Sequence, residues 1–195
     1  MTIVVKLGGS LAKAASLGGW LACIARHGGG RAVIVPGGGT FADAVRAAQG
    51  PYGFSDRAAH RMALLALEQY AVMLADLAPA LRLARTEGEI RTALAGGAVA
   101  VWQPYAMVAG APDVAESWEI TSDSLAAWLA RRLGAAALLL VKSAPTPQAA
   151  DARGWASLGL VDAQFPAAVE DAAFALACYG PGEEQRLAAA LGAGR

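Results

Sequence analysis

Apolar residues along this chain fall into short unbroken runs that alternate with longer stretches at helical spacing. Residues 32–35, 98–102, 136–141 and 173–178 are continuous apolar runs of strand length, 2–7 is a β-branched run that carries Lys6, and 81–84 is a shorter candidate. Runs of that kind are expected of strands buried on both faces. Between them, 10–27, 40–48, 55–77, 86–95, 121–133, 165–171 and 182–191 read as helices. Gly28-Gly29-Gly30 ends the first helix, Gly50-Pro51-Tyr52-Gly53 breaks the chain after the second, and Pro79 closes the third. Residues 103–119 read as irregular and acidic towards their end, and 143–158 as a flap or loop. The alternation predicts an α/β fold: a three-layer αβα sandwich with a mostly parallel central sheet, in one domain over residues 1–195. Ligands gather beyond the carboxyl ends of the strands in such sheets.

Composition narrows the function. Hydrophobic residues make up 56% of the chain and charged ones 16%, which excludes disorder. The net charge of zero gives nucleic acid or an anionic membrane no electrostatic support as a partner. No apolar run reaches the length of a bilayer span, and the chain opens directly on a strand, so neither a membrane anchor nor a signal peptide is expected. Cys23 and Cys178 lack metal-ligand or CxxC spacing and read as reduced core thiols, which predicts a cytoplasmic protein. Only Lys6, Lys13 and Lys142 are lysines, against thirteen arginines. Lys6 and Lys142 sit at strand ends, where a compact, mobile charge suits a phosphoryl group; Lys13 reads as a solvated helix residue.

Two loops have the chemistry of phosphate cradles. In Lys6-Leu7-Gly8-Gly9-Ser10 a strand delivers a lysine, two glycines turn the backbone, and Ser10 is placed to cap a helix. Pro36-Gly37-Gly38-Gly39-Thr40 repeats the pattern without the lysine. Gly37, Gly39 and Ala42 also fit a loose dinucleotide pattern, but no acid stands at the end of the following strand, and no ordinary P-loop sequence occurs. Two glycine-rich helix starts suit two anionic groups held side by side, as phosphoryl transfer requires. In Glu119-Ile120-Thr121-Ser122-Asp123-Ser124 the Thr/Ser pair caps a helix and Asp123 falls in its first turn. Alone this is a capping motif; beside Lys6 it is an acid that holds lysines in place.

These three motifs, in this order and spacing, resemble the amino acid kinase superfamily over roughly residues 1 to 142. The resemblance implies ATP-dependent phosphorylation of an acidic or phosphorylated acceptor, with Mg2+ held mainly by ATP and no protein metal site. It implies that Lys6 stabilises the transferring phosphoryl group, that Gly8, Gly9, Ser10, Gly37, Gly38 and Gly39 bind phosphate through their backbone, and that Asp123 orients the catalytic lysine. Asp56-Arg57-Ala58-Ala59-His60-Arg61-Met62-Ala63, Leu67-Glu68-Gln69-Tyr70 and Trp118 are similar to a small branch assigned to methanofuran-type cofactor biosynthesis. Those kinases convert an aminomethyl-furanmethanol phosphate to its diphosphate. For that acceptor Arg57, His60 and Arg61 form a cationic helix edge for the phosphate, Asp113, Glu116 and Glu119 an attraction for the ammonium, and Ser122 joins Glu119 among the acceptor-binding residues. A solvated helix edge and an acidic loop are the plainer reading of both clusters.

One stretch departs from the superfamily. Where its members carry a Thr-Asp-Val-Asp-Gly-like run, this chain has Lys142-Ser143-Ala144-Pro145-Thr146-Pro147, and a later lysine has no counterpart near 159–166. Lys142 is the candidate for the second positive charge. The altered loop leaves two rival expectations: a kinase of another small acid or phosphate, and a non-catalytic nucleotide- or phosphate-binding regulatory subunit. The helix at 55–77 is apolar around more of its circumference than one sheet face needs, which predicts a homo-oligomer with that helix near the interface.

Overall fold

The computed structural model describes residues 1–147 and 150–192, so part of the flap expected at 143–158 lies outside the described residues. Six strands form one sheet: β1 (Ile3–Leu7), β2 (Ala32–Pro36), β3 (Leu81–Ala84), β4 (Val99–Trp102), β5 (Ala137–Val141) and β6 (Ala175–Tyr179). Their order is β3-β4-β2-β1-β5-β6 and every pairing is parallel. The helices are α1 (Leu17–His27), α2 (Gly39–Tyr52), α3 (Asp56–Leu77), α4 (Glu87–Ala95), α5 (Tyr105–Val108), α6 (Ser122–Arg132), α7 (Ala152–Ser157), α8 (Phe165–Val169) and α9 (Glu184–Gly192). They cover both faces of the sheet, giving the αβα sandwich read from the sequence.

The pleat of β1 decides where its lysine goes. Ile3, Val5 and Leu7 face one core, shared with Trp20 and Ile24 of α1, Tyr70 and Leu74 of α3, and Leu187 of α9. Val4 faces the other core, shared with Leu125 and Leu129 of α6. Alternation therefore sends Lys6 to the α6 side. β5 repeats this: Leu138 and Leu140 face α6, and the next residue on that side is Lys142. A slip of one residue would exchange Leu7 for Lys6 and turn the apolar side chains of β1 onto the wrong core, at about 1.5–3 kcal/mol for each large one. The two lysines are thus placed by hydrophobic register.

Four elements differ from expectation, one of them α7, which forms a helix inside the stretch 143–158 expected as a flap or loop. The single helix read at 10–27 is a 3-10 turn, Gly9–Lys13, followed by α1; Ala14 is extended between them. The break read at Gly50-Pro51-Tyr52-Gly53 lies inside α2, because a proline in a last turn forfeits only one helical hydrogen bond. Gly53, left-handed at φ 63, then closes the helix, its N–H donating to the carbonyl of Gln49 at 2.8 Å. Residues 103–119 contain the short α5. Among the described residues no helix is long and apolar enough to cross a membrane.

Candidate functional site

β1 stands between β2 and β5, and the crevice past its carboxyl end is rimmed by the turns that follow all three strands. Two of those turns touch backbone to backbone. A Cβ at Gly9 would lie 2.4 Å from the amide nitrogen of Gly39, and one at Gly37 would lie 2.2 Å from that of Gly9. No side chain fits at either position, so these glycines are fixed by loop contact as well as by their turns. Gly8 and Gly37 are not the phosphate donors expected of them. Their N–H groups extend the sheet ladder, donating at 2.9 Å to the carbonyls of Val141 and Leu7. The amides at the start of α2, Gly39 and Thr40 with Gly38 at the cap, are those a helix leaves for an anion. Gly9 and Ser10 face them from the 3-10 turn, and all five residues line one cavity. Ser10 caps no helix; its hydroxyl shares a 2.6 Å hydrogen bond with that of Ser143, across the crevice.

Beside the glycine loops, Asp123 sits in the first turn of α6 and takes both lysines on one oxygen. Lys6 Nζ is 2.9 Å and Lys142 Nζ 2.7 Å from its Oδ1. The three side chains are 4%, 7% and 9% exposed for Lys6, Asp123 and Lys142. Burial works against the charge of Asp123, yet the two ammonium groups outweigh it and hold the carboxyl below its ordinary range. Lys142 is pushed down to about 8, by burial first and by Lys6 next, against the support of Asp123. Two cations on one carboxylate leave one positive charge unmatched in a nearly dry place. An anion is the natural complement.

Next to this triad a cavity of about 300 Å³ opens between the 3-10 turn, α2, α3 and the approach to α6. His60, Ser122, Thr121 and Trp118 line it, as do Lys13, Asp43 and Arg46, which the sequence reading left out. Gly39, Ala42, Asp43 and Arg46 are spaced three, one and three along α2, so a helical-face argument would have found them. Lys13, read as a solvated residue, faces the cavity once the 3-10 turn replaces a regular helix. Arg46 stacks on Trp118, its guanidinium carbon 4.5 Å from the ring centroid, and Trp118 Nε1 donates to Gln49 at 2.6 Å.

The cationic edge at Arg57, His60 and Arg61 is not assembled as expected. Glu116 takes both arginines, at 2.8 Å from Arg57 and 2.7 Å from Arg61, and neither lines the cavity. The hydrogen bond from Arg61 and the two guanidinium charges hold the Glu116 carboxyl below its ordinary range. His60 is buried, with Nδ1 3.2 Å from the carbonyl oxygen of Ser117 and Nε2 without a partner. Burial pushes its imidazole down from 6.5. Glu119 is exposed, off the cavity, and 3.4 Å from Gln164. Asp113 accepts from Trp128 Nε1 at 2.7 Å.

Asp162 carries no sequence signal that ties it to the turn at 121–124. From the turn before α8 it accepts from the N–H and hydroxyl of Thr121, at 3.0 and 2.8 Å, and from the N–H of Ser124 at 3.0 Å and its hydroxyl. The Thr/Ser pair therefore does not cap α6 with its own oxygens; a distant carboxylate does, and so fixes the turn that carries Asp123.

No curated protein matches the chain in sequence. Among solved structures it is similar to a uridylate kinase from Archaeoglobus fulgidus (15% identity, TM-score 0.69, covering 98% of this chain and 95% of that one). UMP kinases from Bacillus anthracis (15%, 0.66, 97% and 92%) and Ureaplasma parvum (15%, 0.64, 93% and 90%) are also similar. At that identity the likeness speaks for the fold. Residues 1–145, which carry both glycine loops, Asp123 and Lys142, match the profile of the amino acid kinase family; the chain belongs to that family and is an ATP-dependent kinase of a small molecule.

Proposed function

We propose that this kinase transfers the γ-phosphoryl group of ATP to a small acceptor that itself carries a phosphate, forming a phosphoanhydride. The observation that carries this reading is the unmatched positive charge of the Lys6–Asp123–Lys142 cluster beside a cavity rimmed by helix-start amides. ATP supplies the phosphoryl group and, with it, Mg2+; among the described residues no three His, Cys, Asp or Glu side chains group to hold a metal. Lys6 stabilises charge on the transferring group, Lys142 supplies the second cation in place of the lysine its relatives carry later, and Asp123 keeps both in register. The amides of Gly9, Ser10, Gly38 and Gly39 orient the phosphates. An acceptor phosphate is already ionised, so no general base is required.

For the acceptor we propose 5-(aminomethyl)furan-3-yl methyl phosphate, converted to its diphosphate in methanofuran-type cofactor biosynthesis in the cytoplasm. The motif from Asp56 to Ala63 and Trp118 support it, and the cavity is lined by Trp118, on which a flat ring could stack opposite Arg46, and by Asp43, a carboxylate that pairs with Arg46 at 3.2 Å and would attract an ammonium. ATP turnover measured with the furan phosphate, UMP and a set of small carboxylates tests it. The furan phosphate is expected to turn over fastest, and Lys6→Ala to lower that rate at least about 100-fold. Equal rates for the variant would remove Lys6 from the mechanism, and turnover of a different acceptor alone would replace the substrate. ATP binding without turnover of any acceptor would favour a regulatory subunit.

A further inference from the structure

We propose that His60 reads a hydrogen-bond donor on the acceptor, an amine or a hydroxyl, and does not bind the acceptor's phosphate. The inference rests on the acceptor site assigned above and revises the part His60 plays in it. Its first support is the bond at Nδ1. The Ser117 carbonyl oxygen, 3.2 Å away, only accepts, so the proton of the ring sits on Nδ1 and the neutral imidazole leaves a bare lone pair on Nε2. Its second support is burial. His60 is 3% exposed and its Nε2 has no partner, although the residue lines the cavity. A buried ring nitrogen without a partner costs stability that a ligand donor would recover.

A phosphate would need a proton on that nitrogen. Adding one makes an imidazolium, which burial opposes most and Arg61 also opposes; the Ser117 carbonyl and Glu116 favour it, but burial outweighs them and Glu116 is already held by Arg57 and Arg61. The cavity has other anion-binding groups, the amides at the start of α2 and the side chains of Lys13 and Arg46. It also has a second acceptor in the carboxylate of Asp43, one oxygen of which takes Arg46 at 3.2 Å. His60 and Asp43 therefore suit the end of the molecule that donates, and the amide rim the end that is phosphorylated. Neutral His60 discriminates among acceptors by the absence as much as the presence of a donor, because a partner lacking one leaves Nε2 unmatched.

Two measurements test this. Ring-nitrogen NMR of the ligand-free protein at neutral pH, with His60→Gln used to assign the signal against His27, should show His60 protonated on Nδ1 and bare on Nε2. A proton on Nε2, or an imidazolium, overturns the proposal. That spectrum needs no acceptor, so it decides the state of His60 even where the function assigned above fails. The second measurement compares kcat/KM for the furan phosphate and for its analogue with methyl in place of aminomethyl. Wild type should prefer the donor-bearing acceptor by about tenfold to a hundredfold. His60→Phe, which offers no acceptor atom, should bring that ratio towards one, and His60→Gln, whose amide oxygen can take the place of Nε2, should keep most of it. Equal loss on both acceptors in His60→Phe, with the ratio intact, overturns the proposal.

Discussion

Lys142 holds its charge against both burial and the ammonium of Lys6, and Asp123 alone supports it. The proton leaves at about 8, below the ordinary lysine value of 10.5. In the proposed mechanism the charged form is the working one, so raising the pH through that value removes a cation from the site. The kcat/KM profile of the free enzyme is expected to fall on its alkaline side with a midpoint near 8. Lys142→Arg, which keeps its charge through that range, should lose this alkaline fall even if its overall rate is lower. An identical alkaline fall in the variant would assign the titration to another group. At this scale the sequence was legible where chemistry sits next to strand register. Lys6, Asp123 and Lys142 all lie at element ends that hydrophobic pattern locates, and they meet. Arg57 and Arg61 depart from expectation because their partner, Glu116, comes from a loop more than fifty residues away with no periodicity to place it.

α6 shows how an element is tuned by residues outside it. Its first turn contains Thr121 as cap residue, Ser122, Asp123 and Ser124, and a local reading gives it a self-made cap. In the fold the turn is held instead by Asp162, with four hydrogen bonds from Thr121 and Ser124. The carboxylate also complements the positive end of the helix. Asp162→Ala is expected to lower stability by about 1–3 kcal/mol, read in denaturant unfolding, because it leaves helix-start donors without a partner. It should also lower kcat more than it raises KM for ATP, since the turn it frees carries Asp123. Asp162→Asn, which still accepts, should recover part of both. An unfolding midpoint unchanged in Asp162→Ala would show that water replaces the cap. The same reason explains which elements were legible. Thr86 and Ser55 were read at the starts of helices and do cap α4 and α3, since each accepts from an amide three residues on, at 3.2 Å. The first helix is shorter than its pattern because composition carries no sign that Gly9 must seat against Gly39. α2 runs past the end its pattern suggests because a proline in a last turn has little to lose.

Across the molecule, β3 forms one edge of the sheet, and α3 crosses over β2, β3 and β4 with part of its apolar surface left outside. Met62, Leu65 and Val72 are 40%, 45% and 51% exposed, at spacings of three and seven that put them on one stripe. Leu77 at the end of α3 and Leu83 on β3 extend the apolar surface at 58% and 40%. The opposite side of α3 supplies His60 and Leu64 to the cavity, so the helix separates the proposed site from this surface. The proposed homo-oligomer would cover that stripe with the same stripe of a second copy, a self-complementary arrangement that apolar side chains permit and like charges do not. Light scattering at micromolar concentration is expected to give more than one subunit. Leu65→Glu should shift the mass to one subunit, because the interface would have to bury two unpaired carboxylates. The cavity proposed for the acceptor lies on the far side of α3, so the monomeric variant should keep its affinity for the acceptor while its thermal midpoint becomes independent of protein concentration. A wild type that is monomeric under the same conditions would leave the apolar stripe to some other partner and would end the proposal.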